Sequence, residues 1–141
     1  MAVMIVRLAR EEDTPGFIEL AAQVEHWFGP MADEPGFRSV LARKIRQGAA
    51  LAATSGDETG LLGGLLFTAR PPAYHVRWLV VSEQARGKGV GSALIHEVYA
   101  RAKLAGSKRV YWLTQETNET AMRLYDKVAE RSGFIVYRKS V

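Results

Sequence analysis

Two basic side chains and three glycines lie close together in the middle of the chain. Arg86 and Lys88 alternate with Gly87, Gly89 and Gly91 in the stretch RGKGVG. Arginine and lysine bind phosphate oxygens, and glycine lets a phosphate approach the backbone without meeting a Cβ atom. We therefore interpret this stretch as a loop that binds a pyrophosphate.

The residues on either side of the loop predict how it is held. The apolar run from Trp78 to Val81 is typical of a short strand. After the loop, apolar residues recur every four positions, as in a helix, at Val90, Leu94, Val98 and Ala102. The first amides of a helix have no carbonyl partners and carry partial positive charge, so a helix that begins here would add to the anion site.

The glycine spacing excludes two common phosphate loops. The Walker pattern needs Ser or Thr after its lysine, whereas Gly89 follows Lys88. The dinucleotide fingerprint needs a third glycine at position 92 or 94, where the chain has Ser92 and Leu94. The pattern that remains is Arg86-x-x-Gly89-x-Gly91, preceded by Leu79-x-Val81.

A second motif lies near the end of the chain. Asn118-x-x-Ala121 is followed by Leu124-Tyr125 and then by Gly133-Phe134. Together the two motifs resemble those of the GNAT superfamily of N-acetyltransferases, in this order and with a strand and a helix between them. The resemblance covers the whole chain in length and element order, and its sequence detail is confined to residues 79–94 and 118–134. One departure is the insertion VAERS before Gly133, which we expect to lengthen the last helix by about one turn.

The resemblance implies acetyl-coenzyme A as the cofactor. It implies that the pyrophosphate lies on the loop amides, and that the pantetheine arm runs between strands 74–81 and 109–114. The amide near Val81 would polarise the thioester carbonyl. The implied cofactor-binding residues are Leu79, Val80, Val81, Arg86, Gly87, Lys88, Gly89, Val90, Gly91, Ser92, Asn118 and Tyr125.

Direct attack by an acceptor amine is the simplest mechanism, since the chain has no cysteine to form an acyl-enzyme. The resemblance makes Tyr125 the candidate general acid for the leaving thiolate. The base stays open, because strand AYHVRWLVV has no carboxylate. The candidates are His75 through a water, Glu25 or His26, and water alone.

The acceptor is expected to meet the segment EHWFGPMADEPGF, residues 25–37, which is rich in aromatic and ionisable groups. The predicted substrate contacts are Glu25, His26, Trp27, Phe28 and Tyr74. Acidic groups in this segment would suit a cationic amine, and a small molecule is favoured. A protein lysine or N-terminus is the alternative acceptor. A non-catalytic acyl-coenzyme A sensor is one alternative of another class, and a nucleotide-binding or nucleic-acid-binding domain that uses the same basic loop is a second.

Length and composition limit the remaining possibilities. The 141 residues suffice for one domain, predicted as residues 1–141. No apolar run can span a bilayer and no signal peptide is recognisable, so a cytoplasmic location is expected. The net charge of +4 is spread along the chain, and no nucleic-acid, membrane or metal partner is predicted. A homodimer is left open.

The predicted fold class is α/β, a mixed central β-sheet with helices on both faces and the order βααβββαβαβ. The strands are placed at residues 3–9, 49–54, 61–68, 74–81, 109–114 and 134–138. The helices are placed after Asp13 or Thr14, at 38–47, at 90–105, and from Asn118 to Gly133.

Overall fold

The computed structural model describes residues 3–25, 35–57 and 60–141. We number the elements in chain order as β1 (Met4–Leu8), α1 (Thr14–Ala22), α2 (Pro35–Arg46), β2 (Ala50–Ser55), β3 (Leu61–Arg70), β4 (Ala73–Val81), α3 (Val90–Leu104), β5 (Arg109–Tyr111) and α4 (Glu119–Val128). Single 3-10 turns lie at Glu11–Asp13 and Glu83–Ala85.

The five strands form one mixed sheet in the order β1-β2-β3-β4-β5. The pairs β1–β2, β2–β3 and β3–β4 are antiparallel, and β5 is parallel to β4. Helices cover both faces of the sheet, so the predicted single α/β fold is confirmed. In the part of the chain that the structure describes, no helix is long and apolar enough to cross a membrane.

Each face of the sheet has its own apolar core. On one face, α1 and α2 pack Phe17, Leu20 and Leu41 against Leu66 and Trp78. On the other face, α3 packs its apolar stripe against strand residues that include Leu51, Leu65 and Val76. The sheet is therefore buried on both sides, which fixes β4 rigidly beside the helices.

A β-bulge in β4 changes which side chains face which core. Phe67 and Leu66 are neighbours on β3, but their partners on β4 are Val76 and Trp78, so Arg77 is an extra residue without a cross-strand partner. Before the bulge, Val76 belongs to the α3 core, and after it Trp78 belongs to the α1–α2 core. Strict alternation along AYHVRWLVV would have placed these two residues on the same face.

The predicted strand at residues 134–138 is wrong. The segment pairs with no described strand, and Phe134 and Tyr137 are each 88% exposed. Apolar alternation gives a segment strand propensity, but a strand forms only where a partner supplies its hydrogen bonds.

The last helix also ends earlier than predicted, at Val128 and not at Gly133. Ala129 is fully extended, and the Tyr99 hydroxyl donates to the Val128 carbonyl at 2.8 Å. This long-range bond satisfies one of the carbonyls that a helix end leaves unpaired, so the insertion VAERS adds no helical turn.

Candidate active site

A cavity of about 940 Å³ lies between β4 and β5 and extends to the start of α3. It is lined by one edge of β4, by the chain that follows β5, by the glycine loop and by one face of α4. Its size is at the upper end of the range for small-molecule and cofactor sites.

The divergence of two parallel strands creates this cavity. β4 and β5 share three residue pairs, at Ala73–His75 with Arg109–Tyr111. Beyond His75 the strands separate, and residues 76–81 of β4 and 112–115 of the following chain face each other across the cavity. The backbone groups of β4 on this side are therefore available to an extended ligand, as a missing strand would be.

The glycine loop has the backbone geometry of an anion cradle. Gly87 and Gly89 have φ angles of 78° and 81°, in the left-handed region, and Gly89 is the N-cap of α3. The first helical hydrogen bond runs from Ala93 N to Gly89 O at 3.0 Å, so the amides of residues 90–92 have no helical acceptor. These amides, the helix dipole and Arg86 at the cavity wall fit a pyrophosphate.

Most of the predicted cofactor-binding residues line the cavity. They are Leu79, Val80, Val81, Arg86, Gly87, Gly89, Val90, Gly91, Ser92, Asn118 and Tyr125. Lys88 is exposed on the loop and is not part of the lining.

Helix α4 brings Asn118 and Tyr125 to the cavity. Asn118 is the N-cap, and its Oδ1 accepts from Ala121 N at 3.3 Å. Because the cap uses the oxygen, the side-chain NH₂ is the group left to donate to a ligand. The Tyr125 ring meets Trp112 edge to face at 5.3 Å, and burial raises the pKa of its hydroxyl above 10.0. Tyr125 is therefore protonated at neutral pH and can donate a proton into the cavity.

His75 lies beside the cavity and not on its wall. Its ring stacks on Tyr111 at 4.4 Å, and Arg77 Nη1 lies 3.0 Å from its Nδ1. A guanidinium cannot accept a hydrogen bond, so Nδ1 accepts and the neutral ring carries its proton on Nε2. Burial, followed by the charges of Arg77 and Lys44, lowers the pKa of His75 from 6.5.

The predicted acceptor contacts are not gathered at this site. Tyr74 is buried in the α3 core, stacked on Phe67 at 5.4 Å, and does not line the cavity. Glu25 is exposed and does not line the cavity, although its neighbour Val24 does. His26, Trp27 and Phe28 lie outside the described residues.

The lining residues that were not predicted from the sequence include Arg77, Trp78 and Trp112. No local pattern singles out the first two, because the bulge that turns them toward the cavity depends on the pairing of β4 with β3. Trp112 follows the last paired residue of β5. If β4 and β5 are assumed to be parallel, the sequence could have identified Trp112 as an aromatic residue close to Tyr125.

Comparison with known proteins gives a family match over most of the chain. The model described as the acetyltransferase (GNAT) family matches residues 6–129. A curated relative, the D-amino-acid N-acetyltransferase HPA3 of Saccharomyces cerevisiae, is 45% identical over 62 residues. That alignment covers 44% of this chain and 38% of the relative.

Solved structures share the fold over nearly the full length. An aminoglycoside N-acetyltransferase, AAC(6')-Iy in complex with CoA, has a TM-score of 0.82 at 14% identity, covering 99% of this chain and 96% of that one. A ribosomal-protein-alanine N-acetyltransferase from Brucella melitensis biovar Abortus 2308 has a TM-score of 0.75 at 20% identity, covering 99% of each chain. At these identities the likeness establishes the fold alone.

Proposed function

This chain belongs to the GNAT family of acetyltransferases, and from that membership we propose that it transfers an acetyl group from acetyl-coenzyme A to a primary amine. The observation that carries the proposal is the continuity of one cavity from the α3 amides, along the open edge of β4, to Tyr125. A pyrophosphate, an extended pantetheine arm and a thioester need these three environments in this order.

In the proposed reaction the acceptor nitrogen bonds to the thioester carbonyl carbon and the C–S bond breaks. The nitrogen loses a proton, and the departing thiolate gains one. A β4 amide near Val81 donates to the carbonyl oxygen, where negative charge develops in the transition state. Tyr125 supplies the proton to the sulfur, since its raised pKa keeps it protonated.

The acceptor must first lose a proton, because an alkyl ammonium has a pKa of about 10. His75 is neutral at pH 7, but Arg77 occupies the lone pair on Nδ1. In this arrangement His75 cannot accept a proton directly unless Arg77 moves away. We therefore favour water as the immediate proton acceptor, with His75 as the residue that receives the proton once Arg77 is engaged elsewhere.

A small-molecule acceptor is favoured over a protein. The curated relative with the 45% identical segment acts on D-amino acids by its name, and the aminoglycoside enzyme of the same fold also acts on a small molecule by its name. A protein lysine or N-terminus is the second candidate, favoured by the name of the ribosomal-protein-alanine enzyme.

A thermal-shift comparison followed by a kinetic panel tests the proposal. Acetyl-coenzyme A and coenzyme A should raise the melting temperature, whereas ATP and NAD should have little effect. Thiol release should then depend on both acetyl-coenzyme A and an amine. Stabilisation without thiol release for any small amine or lysine peptide would favour a sensor, and stabilisation by ATP alone would favour a nucleotide-binding domain.

A further inference from the structure

The bulge at Arg77 gathers hydrogen-bond donors where the cavity meets the α1–α2 face of the sheet. Arg77 contacts His75, two residues earlier on β4, through the 3.0 Å bond to Nδ1. Trp78 follows immediately and packs between Phe17 and Phe37 of α1 and α2, at 5.8 Å from each ring. Arg77 and Trp78 both line the cavity, but of the two residues only Arg77 is exposed, so the bulge presents the Arg77 guanidinium to the ligand space.

Among the described elements around this point, α2, β3 and β4 carry cations and no carboxylate, whereas α1 carries Glu19. Helix α2 contains Arg38, Arg43, Lys44 and Arg46, and its sequence has no acidic residue. Strands β3 and β4 also have no acidic residue, and they contain Arg70 and Arg77, respectively. The local potential is therefore positive, which attracts an anionic group and disfavours a polycationic amine.

The positive charge of α2, β3 and β4 is not neutralised within the described residues, and Lys44 is an example. Its side chain is buried, and its Nζ donates to the Phe67 carbonyl at 2.7 Å and to Thr68 Oγ1 at 2.9 Å. No carboxylate lies within ion-pair distance of Lys44 or Arg77 in the described part of the chain. Burial lowers the pKa of Lys44, and the charges of Arg43, Arg77 and Arg70 lower it further. Lys44 has two hydrogen bonds but no counter-ion, and a buried ammonium without a counter-ion is costly, so an anion close by would stabilise it.

Trp78, the next residue, is buried in the α1–α2 core and does not present its indole N–H to the cavity. It is 5% exposed, and its Nε1 has no acceptor among the described residues. A buried indole N–H usually has a hydrogen-bond partner, because leaving it unpaired costs free energy. Since that N–H has no accessible surface, a ligand in the cavity does not reach it in this arrangement, and Arg77 is the donor that remains.

We propose that the acceptor amine carries a carboxylate, as a free amino acid does, and that Arg77 binds this carboxylate. This inference rests on the proposed acetyltransferase function and specifies its acceptor class. It follows from the charges and donors of β4 and α2. Arg77 is suited to the role because its planar guanidinium matches the two oxygens of a carboxylate.

Binding of the carboxylate would also change the environment of His75. An Arg77 guanidinium directed toward the carboxylate no longer occupies His75 Nδ1, which would then be available for a proton from the amine through water. The carboxylate of the acceptor would therefore also free His75 Nδ1 to accept a proton. Arg77 is thus a specificity residue for the acceptor and a positioning residue for His75.

Matched acceptor pairs test the proposal. Each amino acid, in both enantiomers, is compared with the amine that lacks its carboxylate, for example phenylalanine with 2-phenylethylamine. The wild-type kcat/KM should favour the amino acid by about tenfold to a hundredfold, the range of a charge-assisted hydrogen bond. In Arg77→Gln this ratio should fall toward one through a higher KM for the amino acid, and Arg77→Lys should recover part of it.

Arg70→Gln is the matched control, since it removes the same charge from the neighbouring strand at a residue that does not line the cavity. Because Arg70 adds only to the local potential and makes no contact in the cavity, this variant should keep most of the wild-type ratio. The KM for acetyl-coenzyme A and the melting temperature of each variant report whether the site itself is intact.

A wild-type enzyme that acetylates the simple amines or a polyamine as well as the amino acids would overturn the carboxylate proposal and leave the acetyltransferase function intact. An unchanged ratio in Arg77→Gln would also overturn it. Absence of transfer to every amine tested would instead contradict the proposed function itself.

Discussion

A Cβ atom placed on Gly91 would lie 2.9 Å from Leu124 Cδ2 and 3.5 Å from Val81 Cγ2. The second glycine of the loop motif therefore lies in close packing contact with Leu124, which differs from the backbone requirement at Gly89. It lets the first turn of α3 approach both β4 and α4. Since α4 also carries Tyr125, this contact connects the cofactor loop to the candidate general acid.

Gly91→Ala should destabilise the protein and lower turnover together. Overpacking typically costs ~1–3 kcal/mol, and the better helix propensity of alanine offsets about 1 kcal/mol of this. Urea unfolding measures the net loss. In the double variant Gly91→Ala/Leu124→Ala the clash is absent, so the loss should be smaller than the sum of the two single losses. Additive losses would mean that the two residues are not coupled.

Gly89→Ala should weaken cofactor binding because Gly89 has a φ of 81°. An L-residue in this region costs ~1–2 kcal/mol, and relaxation to a negative φ would redirect the loop amides. Gly106→Ala is the matched control, since Gly106 has a φ of 76° at the other end of α3, away from the cavity. Both variants should lose similar stability, but the Kd for acetyl-coenzyme A should rise in Gly89→Ala alone. An equal Kd in the two variants would contradict the role of the loop.

Tyr125→Phe should lower the rate of acetyl transfer by ~10²–10⁴-fold, the usual contribution of a general acid. The ring and its contact with Trp112 remain, so the fold and the Kd for acetyl-coenzyme A should be retained. Single-turnover measurements avoid a step limited by product release. A wild-type rate in this assay would remove Tyr125 from the mechanism.

The pH profile gives a second test of Tyr125. The proton donor is the protonated form, and burial raises the pKa of Tyr125 above 10.0. The midpoint of the loss of activity through its ionisation should therefore lie at a higher pH than for an exposed tyrosine. An alkaline limb well below pH 10 would have to come from another group, and it should then persist in Tyr125→Phe.

Arg77→Gln should raise the pKa of His75. Burial is the main cause of the lowered value and remains in the variant, but the adjacent positive charge is removed. A raised pKa keeps the ring protonated to higher pH. If His75 receives the proton, the acid limb of kcat/KM should therefore move to higher pH along with the NMR titration of the ring. A shifted titration with an unshifted acid limb would show that His75 is not the proton acceptor.

Short-range features of the site could be predicted from the sequence. Gly87, Gly89 and the helix start at Val90 were found because positive φ angles and unpaired helix amides are properties of a few consecutive residues. The Asn118 cap and the placement of Tyr125 on α4 likewise follow from spacing within one helix. The fold class followed from the order of such segments and from the family resemblance.

The tertiary structure alone decided features that depend on a distant partner. The Arg77 bulge exists because β3 and β4 pair out of register by one residue, and it alone brings Arg77 and Trp78 to one cavity. Residues 134–138 have the composition of a strand, but they have no described strand to pair with. The sequence determines local backbone preferences, whereas hydrogen bonds between segments far apart in the chain determine strand pairing and the facing of side chains.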